Sequence, residues 1–484
     1  MTYSLAITPV PKISYAQIIA LFSQYQAQPW SFLLDSCEHG QHEARFDIIA
    51  FSPLLTLEYK SGKQSLGGDW SKIMLACVDN KSPYETLANI QKVFGDSIDL
   101  SLLDTDRQFD DLPFLIGALS TFGYDLNHHS DQIKDEQPNQ YDLPDISVGF
   151  FGQSIIYDKH KHTAYVCSIE PHKGEAILQQ LKQIQASARP TLKASPFALQ
   201  SDWQSNMTAA YYEQQMQKIG DYLRAGDCYQ VNFAQRFEAT YKGCEWSAYR
   251  ALSETNQGPF SAFVRLPTSV ILSVSPERFL FVKNGQAETK PIKGTRKRSG
   301  APEQDAKLAE ELLNSAKDRA ENLMIVDLLR NDLSKHCQAH SVKVPKLFAL
   351  ESYPAVHHMV STVVGKLKAD STPYHLLEGA FPGGSITGAP KVRAMQIIQE
   401  LEPDKRSIYC GSIGYVGIRN DMDTNICIRT VLAERGKLYC WAGGGIVIDS
   451  NNADEYQESF DKVAKILPTL LNFSQPKQVE TEHD

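Results

Sequence analysis

From Thr208 to the C-terminus the chain keeps returning to one order of signals: a helically spaced stretch, a glycine, then an alternating stretch. That order confines it to mixed α/β folds. The first instance is the clearest. Thr208 can cap a helix in which Tyr212, Met216, Ile219 and Leu223 recur at helical spacing, and Gly226 can close it. Tyr229, Val231, Phe233 and Phe237 then alternate with Gln230, Asn232, Ala234 and Arg236, which predicts a strand with Gln230 and Arg236 on one polar face. No repeat of 20 to 50 residues accompanies this order.

The part before it is β-rich, with short runs such as "RFDIIAF" and with "GQSIIYDKHKHTAYVCSI", which reads as a hairpin turning at Asp158 to His162. Between the two parts, "QASARPTLKASPFALQSDWQSN" has no sustained period and two prolines, as expected of a linker. The expected division is an N-terminal region 1–185, a linker 186–206, a catalytic region 207–470 and a polar tail 471–484.

Length and charge narrow the function. A chain of 484 residues can bury a large core, and with a net charge of -9 and dispersed basic residues it carries no footprint for nucleic acid or an anionic membrane. The densest basic cluster, Arg296, Lys297 and Arg298, is short. No stretch reaches 18 apolar residues and the N-terminus lacks a basic leader, so a cytoplasmic location is expected. Nine cysteines without a C-x-x-C pair fit neither a disulfide framework nor a zinc site, and read as small core residues.

Four stretches could carry chemistry. In "DEYQESFDKVAKIL", Tyr456, Phe460, Val463 and Leu467 form the expected buried stripe, while Glu455, Glu458 and Lys462 share a neighbouring arc; the plain alternative is a solvated face with one weak ion pair. The preceding "WAGGGIVIDS" would let backbone approach a ligand closely. In "AKDRAENLMIVDLLRNDL", Glu321 is either a metal-binding carboxylate partnered with Glu458 or a first-turn acid favoured by the helix dipole. "AFPGGSITGAPKVRAM" is a glycine-rich loop opening a helix, which suits an anion, and Ala389 and Pro390 rule out a phosphate-cradling loop. Lys293, between Ile292 and Gly294, is either a surface charge or a buried amine with nucleophilic power, and Glu277 lies one strand and its return upstream.

Taken together, "PIKGT", "DRAENLMIVDLLRND", "AVHHMVS", "GGSITGAPKVRAM", "YCGSIGY", "MDTNICIRT" and "GGGIVIDSNNADEYQE" resemble the chorismate-utilising enzymes in order and spacing, over about residues 208 to 468. "SFLLDS" and "ARFDI" resemble the N-terminal region of the anthranilate- and aminodeoxychorismate-forming members. The fold implied is α/β (α+β), with large antiparallel β-sheets forming a sandwich-like core flanked by helices. Lysine at position 293, together with "SDWQSNMT" and "GDCYQVNFAQRF", favours the branch that aminates chorismate at C4, with the anthranilate-forming branch as the alternative.

The resemblance implies roles as well. Lys293 would attack C2 of chorismate while Glu277 protonates the departing C4 hydroxyl, and ammonia would then displace the lysine by adding at C4. Glu321, Glu455 and Glu458 would bind Mg²⁺. Arg429 and Tyr409 would hold the pyruvyl carboxylate, Lys462 and the amides of Gly443, Gly444 and Gly445 would anchor carboxylates, Gly294 and Thr295 would line the ring, and His358 and Ser385 match further pocket positions. Gln230 stands where water-adding relatives carry a lysine, which argues against water addition. Ammonia would come from a separate glutamine amidotransferase subunit. Some relatives bind tryptophan at a Leu-Leu-Glu-Ser motif; here "LLDS" puts Asp35 in the glutamate's place and makes Ser36, Glu43, Ala44, Arg45, Phe46, Pro259, Phe260 and Ser261 candidates.

Overall fold

A computed structural model describes residues 2–37, 45–129, 133, 137, 139–187, 196–353 and 356–473. Two antiparallel sheets carry the architecture, one of 13 strands and one of 11. The larger runs from Phe197–Leu199 through Gln230–Gly243, Lys437–Ile446, Thr430–Glu434, Val270–Ser275 and Phe260–Arg265 to Ser31–Asp35, Phe46–Ala50, Gln153–Asp158, Thr163–Ser168 and Ala6–Pro11. The smaller joins Ile292–Lys297, Val356–Lys366, Gln286–Thr289, Arg278–Lys283, Met422–Asn425 and Ser412–Gly417 to Gly117–Phe122, Ile146–Phe151, Leu55–Lys60 and Lys63–Gly67. Each sheet therefore continues across the expected boundary between the two regions.

The sheets pack face to face because their strands alternate. In Ser31–Asp35, Phe32 joins a core cluster with Leu57, Ala118 and Val148 of the smaller sheet, while Leu33 points to the other side, among Ile18, Leu181 and Tyr249 of the covering helices. Phe32 and Phe151 meet edge to face across the sandwich, 5.8 Å between centroids. A third cluster, with Tyr212, Met216, Ile219, Val231 and Phe233, seats the Ala209–Ala225 helix on the larger sheet.

Local signals hold in several places. Thr208 accepts from the Tyr211 amide at the start of the Ala209–Ala225 helix, and Gly226 closes it with φ 78°. Gln153–Asp158 and Thr163–Ser168 form the hairpin. All nine cysteines are free, eight of them buried. Among the described residues no helix is long and apolar enough to cross a membrane.

Three expectations need correction. The stretch read as a linker contains Phe197–Leu199 and Gln204–Ser205, both paired with the Gln230–Gly243 strand. Segments this short carry too few residues for a period to show, and the long neighbouring strand supplies their partners. Gln230 and Arg236 lie on one side of their strand, but both are buried, so that face is polar without being solvated. The last helix, Asn452–Val463, buries Glu455, Ser459 and Val463, and leaves Tyr456 and Phe460 half-covered. Leu467 belongs to a separate short helix, Leu467–Leu471.

Candidate active site

Glu277 occupies the crossing between the two sheets, where Val270–Ser275 of the larger passes into Arg278–Lys283 of the smaller. Ser275 fixes the crossing: its hydroxyl accepts from the Glu277 amide at 3.2 Å and donates to the Ile426 carbonyl at 2.6 Å. The Ile426 amide in turn donates to the Glu277 carbonyl at 3.0 Å. The chain then returns through Gln286–Thr289 to Ile292–Lys297, where the register against Val356–Lys366 skips between Ile292 and Thr295. Lys293 and Gly294 lie in that irregularity, which frees them from regular pairing and re-aims the lysine. Gly294 has φ 84°, and a Cβ there would stand 2.8 Å from Leu312 and 2.9 Å from Asp318, so the bulge requires glycine.

Lys293 and Glu277 influence each other electrostatically, and burial acts on both. It holds the Lys293 amine below its usual 10.5, opposed by the attraction of Glu277, Glu321 and Glu458, while Lys462 adds to the lowering. Burial raises the Glu277 carboxyl above 4.5, opposed by Lys293, a hydrogen bond from Ser385, Lys462 and Arg429. Both shifts run in the direction of the uncharged forms. Lys293 is half-covered and desolvation is the largest influence on its amine, so the reading of a solvated surface charge does not apply; among the described residues it makes no hydrogen bond or ion pair.

The opposite wall is the Asn452–Val463 helix lying over the glycines of Lys437–Ile446. A Cβ on Gly444 would fall 3.0 Å from Glu455 Oε2, 3.3 Å from Glu458 Oε1 and 3.5 Å from Lys462 Nζ. Glycine lets the three charged groups descend onto the strand, which also explains why Glu455 is buried. Lys462 Nζ donates to the Gly443 carbonyl at 2.7 Å and pairs with Glu458 at 2.6 Å. A Cβ on Gly443 would stand 2.1 Å from the Phe233 carbonyl oxygen, so only glycine fits the strand pairing there.

Glu321 is the sixth residue of the Ala316–His336 helix, one turn beyond Asp318, so the first-turn reading fails. Burial raises its carboxyl above 4.5; Lys293 and Lys317 oppose this, and Asp318 and Glu458 add to it. Glu455 is raised likewise, by burial, against a 2.7 Å hydrogen bond from Ser450, and with Glu458 adding to the rise. The donor chemistry suits a hard cation: carboxylates from two elements, made proton-hungry by burial and mutual repulsion. Among the described residues, no group of three His, Cys, Asp or Glu is gathered as a ready-made metal cage.

The remaining positions cluster around this pair. Ser385 donates to Glu277 Oε1 at 3.1 Å. Thr295 Oγ1 and His358 Nδ1 are hydrogen-bonded at 2.9 Å. Burial, reinforced by Arg429, pushes His358 down to about 4, so it is neutral at physiological pH. Burial also lowers Arg429, with Glu277 opposing, so Arg429 acts on both His358 and Glu277. Tyr409 is buried, stacked parallel to Trp441 at 6.2 Å. Gly445 carries Gln230 above it, where a Cβ would be 2.8 Å from the amide nitrogen. Gln230 is fully buried, yet neither end of its amide has a partner.

Sequence reading missed Arg406 and Glu402, buried behind Tyr409, and Lys391 at the start of the helix after the glycine loop, whose amine is bound by Asp332 at 2.7 Å and the Ala380 carbonyl at 2.8 Å. The i,i+4 spacing of Glu402 and Arg406 was the available signal, but it lies beyond the end of the Lys391–Leu401 helix.

A cavity of about 440 Å³ opens elsewhere and is lined by Ser36, Arg45, Phe46, Pro259, Phe260 and Ser261, among others. Glu43 and Ala44 lie outside the described residues. Arg45 is already bonded to Asp158, at 3.1 and 2.7 Å, and lies over the Phe46 ring. The Asp35 carboxylate accepts from the Tyr15 and Tyr249 hydroxyls and the Cys37 amide.

Comparison with known proteins identifies the family. The model of the chorismate binding enzyme family matches residues 30–468. Aminodeoxychorismate synthase component 1 of Escherichia coli is 45% identical over 93% of this chain and 95% of its own. Anthranilate synthase component 1 of Acetivibrio thermocellus is 32% identical over 96% and 95%. The crystal structure of anthranilate synthase component I from Streptococcus pneumoniae superposes with TM-score 0.73 at 30% identity, covering 89% of this chain and 95% of that one.

Proposed function

The chain belongs to the chorismate-binding enzymes, and we propose that it works as the first component of an aminodeoxychorismate synthase, converting chorismate and ammonia to 4-amino-4-deoxychorismate. The higher identity to the aminodeoxychorismate synthases, 45% against 32% for the anthranilate-forming relative, supports this branch over its sibling. The single observation that carries the chemistry is Lys293 and Glu277 within electrostatic reach of each other, with burial lowering the amine and raising the carboxyl.

One proton moved from Lys293 to Glu277 creates nucleophile and acid together. The free amine attacks C2 of chorismate, the ring double bonds shift, and the C4 hydroxyl leaves as water with the Glu277 proton. Ammonia adds at C4, the double bonds shift back, and the C2–nitrogen bond breaks to release Lys293. Ser385 orients the Glu277 carboxyl, and Arg429 and Lys462 supply positive charge for the substrate's carboxylates. The unpartnered Gln230 amide offers a donor and an acceptor in place of a water-activating lysine.

Glu321, Glu455 and Glu458 would hold Mg²⁺, which when bound would neutralise the ring carboxylate and help the ring system accept charge. Ammonia would come from a separate glutamine amidotransferase, in keeping with the "component 1" of the relatives' names, and the enzyme would work in the cytoplasm. Mass spectrometry of the product from chorismate, ammonia and Mg²⁺ tests the assignment. Aminodeoxychorismate is expected, and anthranilate in its place would move the chain to the sibling branch.

A second reading concerns the 440 Å³ cavity, which would hold tryptophan. Its aromatic and proline walls suit an indole, whereas Asp35 and Arg45 are occupied by protein partners and offer little to the amino acid's charges. Binding should raise Tm in the presence of tryptophan; an unchanged Tm at saturating concentration would remove this reading.

A further inference from the structure

We infer that Arg406, clamped by Glu402, is the residue that positions the acid Glu277 and the wall residue Tyr409 relative to the glycine-rich strand. Its side chain is 1% exposed and spends its donors on three separate segments. Nε and Nη2 grip the two Glu402 oxygens at 2.9 and 2.6 Å, a two-point contact that fixes the plane of the guanidinium. Nη1 donates to the Ile386 carbonyl at 3.1 Å, and Nη2 to the Asn232 carbonyl at 2.8 Å. The guanidinium also lies 5.6 Å over the Tyr409 ring and 4.7 Å over that of Tyr124.

Each tether ends beside the chemistry. Ile386 adjoins Ser385, the hydroxyl that holds Glu277. Asn232 pairs in register with Gly445, two residues from the buried Gln230, and its amide donates to the Thr387 carbonyl at 2.8 Å. Glu402 closes the arrangement, because its Oε1 also accepts from the Ala234 amide, opposite Gly443, at 2.8 Å. One planar group thus sets the spacing between the 383–387 loop, the two central strands and Tyr409. Lysine cannot reproduce it, since a single ammonium lacks the fork. A shift of the acid by about 1 Å is enough to cost on the order of 100-fold in rate.

Arg406 acts through Ser385 and touches no substrate, so its role is positioning. The inference rests on the amination reading only for its assay. The test is a double-mutant cycle of Arg406→Lys and Ser385→Ala in the full chain, with kcat and KM for chorismate measured alongside Tm. Arg406→Lys is expected to lower kcat by about 10- to 100-fold with KM changed less than about threefold. Its effect should shrink markedly in the Ser385→Ala background, because both changes release the same carboxyl. Strictly additive effects, or a lowered Tm with unchanged kcat, would overturn the inference. If Arg406→Lys does not fold, Glu402→Gln, which keeps volume and loosens one side of the fork, enters the same cycle. Failure of the unmodified chain to make aminodeoxychorismate would instead strike the proposed function.

Discussion

Beside the 440 Å³ cavity the lining Arg45 is bonded to Asp158, and Lys159, which also reaches the lining Ser36, is paired with the buried Asp47 at 2.9 Å, whereas Lys293 feels the attraction of Glu277, Glu321 and Glu458 without closing a bond on any of them. The difference is one of purpose written in energetics. A buried polar group left without a partner lowers stability, and a substrate-binding site keeps such groups because the substrate would engage them. Gln230 follows the rule of the cleft, with both ends of its amide unpartnered.

If that contrast is right, the same kind of substitution should have opposite consequences in the two regions. Lys293→Ala should lower amination by at least about 10³-fold, about 4 kcal/mol of transition-state stabilisation, while Tm holds or rises because an unpaired buried amine is removed. Product assay and calorimetry on one preparation check both halves. Lys159→Met should do the reverse, costing about 3 kcal/mol of stability at pH 7 with kcat within about a factor of two.

The second substitution also has a pH signature. Burial raises Asp47 to about 6 from its usual 3.8, against the pull of Lys159. The folded state therefore binds this proton more tightly than the unfolded chain, so the Asp47 contribution to stability grows as pH falls from about 6 toward 4. A protonated Asp47 needs no cation, and the penalty of Lys159→Met should shrink over the same window. Denaturant melts at pH 7 and pH 5 measure it, and a penalty independent of pH would show that Lys159 supports the fold by packing alone.

The smallest effect expected is at Glu458, half-exposed at the edge of the cleft and bonded only to Lys462 among the described residues. Glu458→Gln should weaken the apparent affinity for Mg²⁺ by about 10- to 100-fold with Tm unchanged, read from the Mg²⁺ dependence of turnover. A turnover insensitive to chelator in the unmodified chain would remove the metal from the account.

How far the sequence foretold this follows from the range of each interaction. The approach of Glu277 and Lys293 was legible, since a strand and its return span the residues between them; the three glycines were read as room for a ligand, whereas the structure seats Glu455, Glu458 and Lys462 of the following helix over Gly444. The buried face of Asn452–Val463 was misjudged because aromatic residues normally outrank a glutamate for burial; the missing side chains of Gly443–Gly445 reverse that order. The continuity of both sheets across 186–206 was hidden, because it rests on Ser31–Asp35 pairing with Phe260–Arg265 and Gly117–Phe122 with Ser412–Gly417, strands too far apart in sequence for any local pattern to join. The Arg406 clamp was out of reach altogether: its bonds to Ile386 and Asn232 span 20 and 174 positions, and no local pattern encodes such pairings.

The central claim is that Lys293 is a nucleophile. Intact mass spectrometry after incubation with chorismate and Mg²⁺, without ammonia, addresses it directly, with Lys293→Ala as the comparison. The account predicts a species heavier by chorismate less one water on the unmodified chain, absent from the variant and discharged by ammonia. An equal adduct on both proteins, or full amination activity in Lys293→Ala, would contradict it.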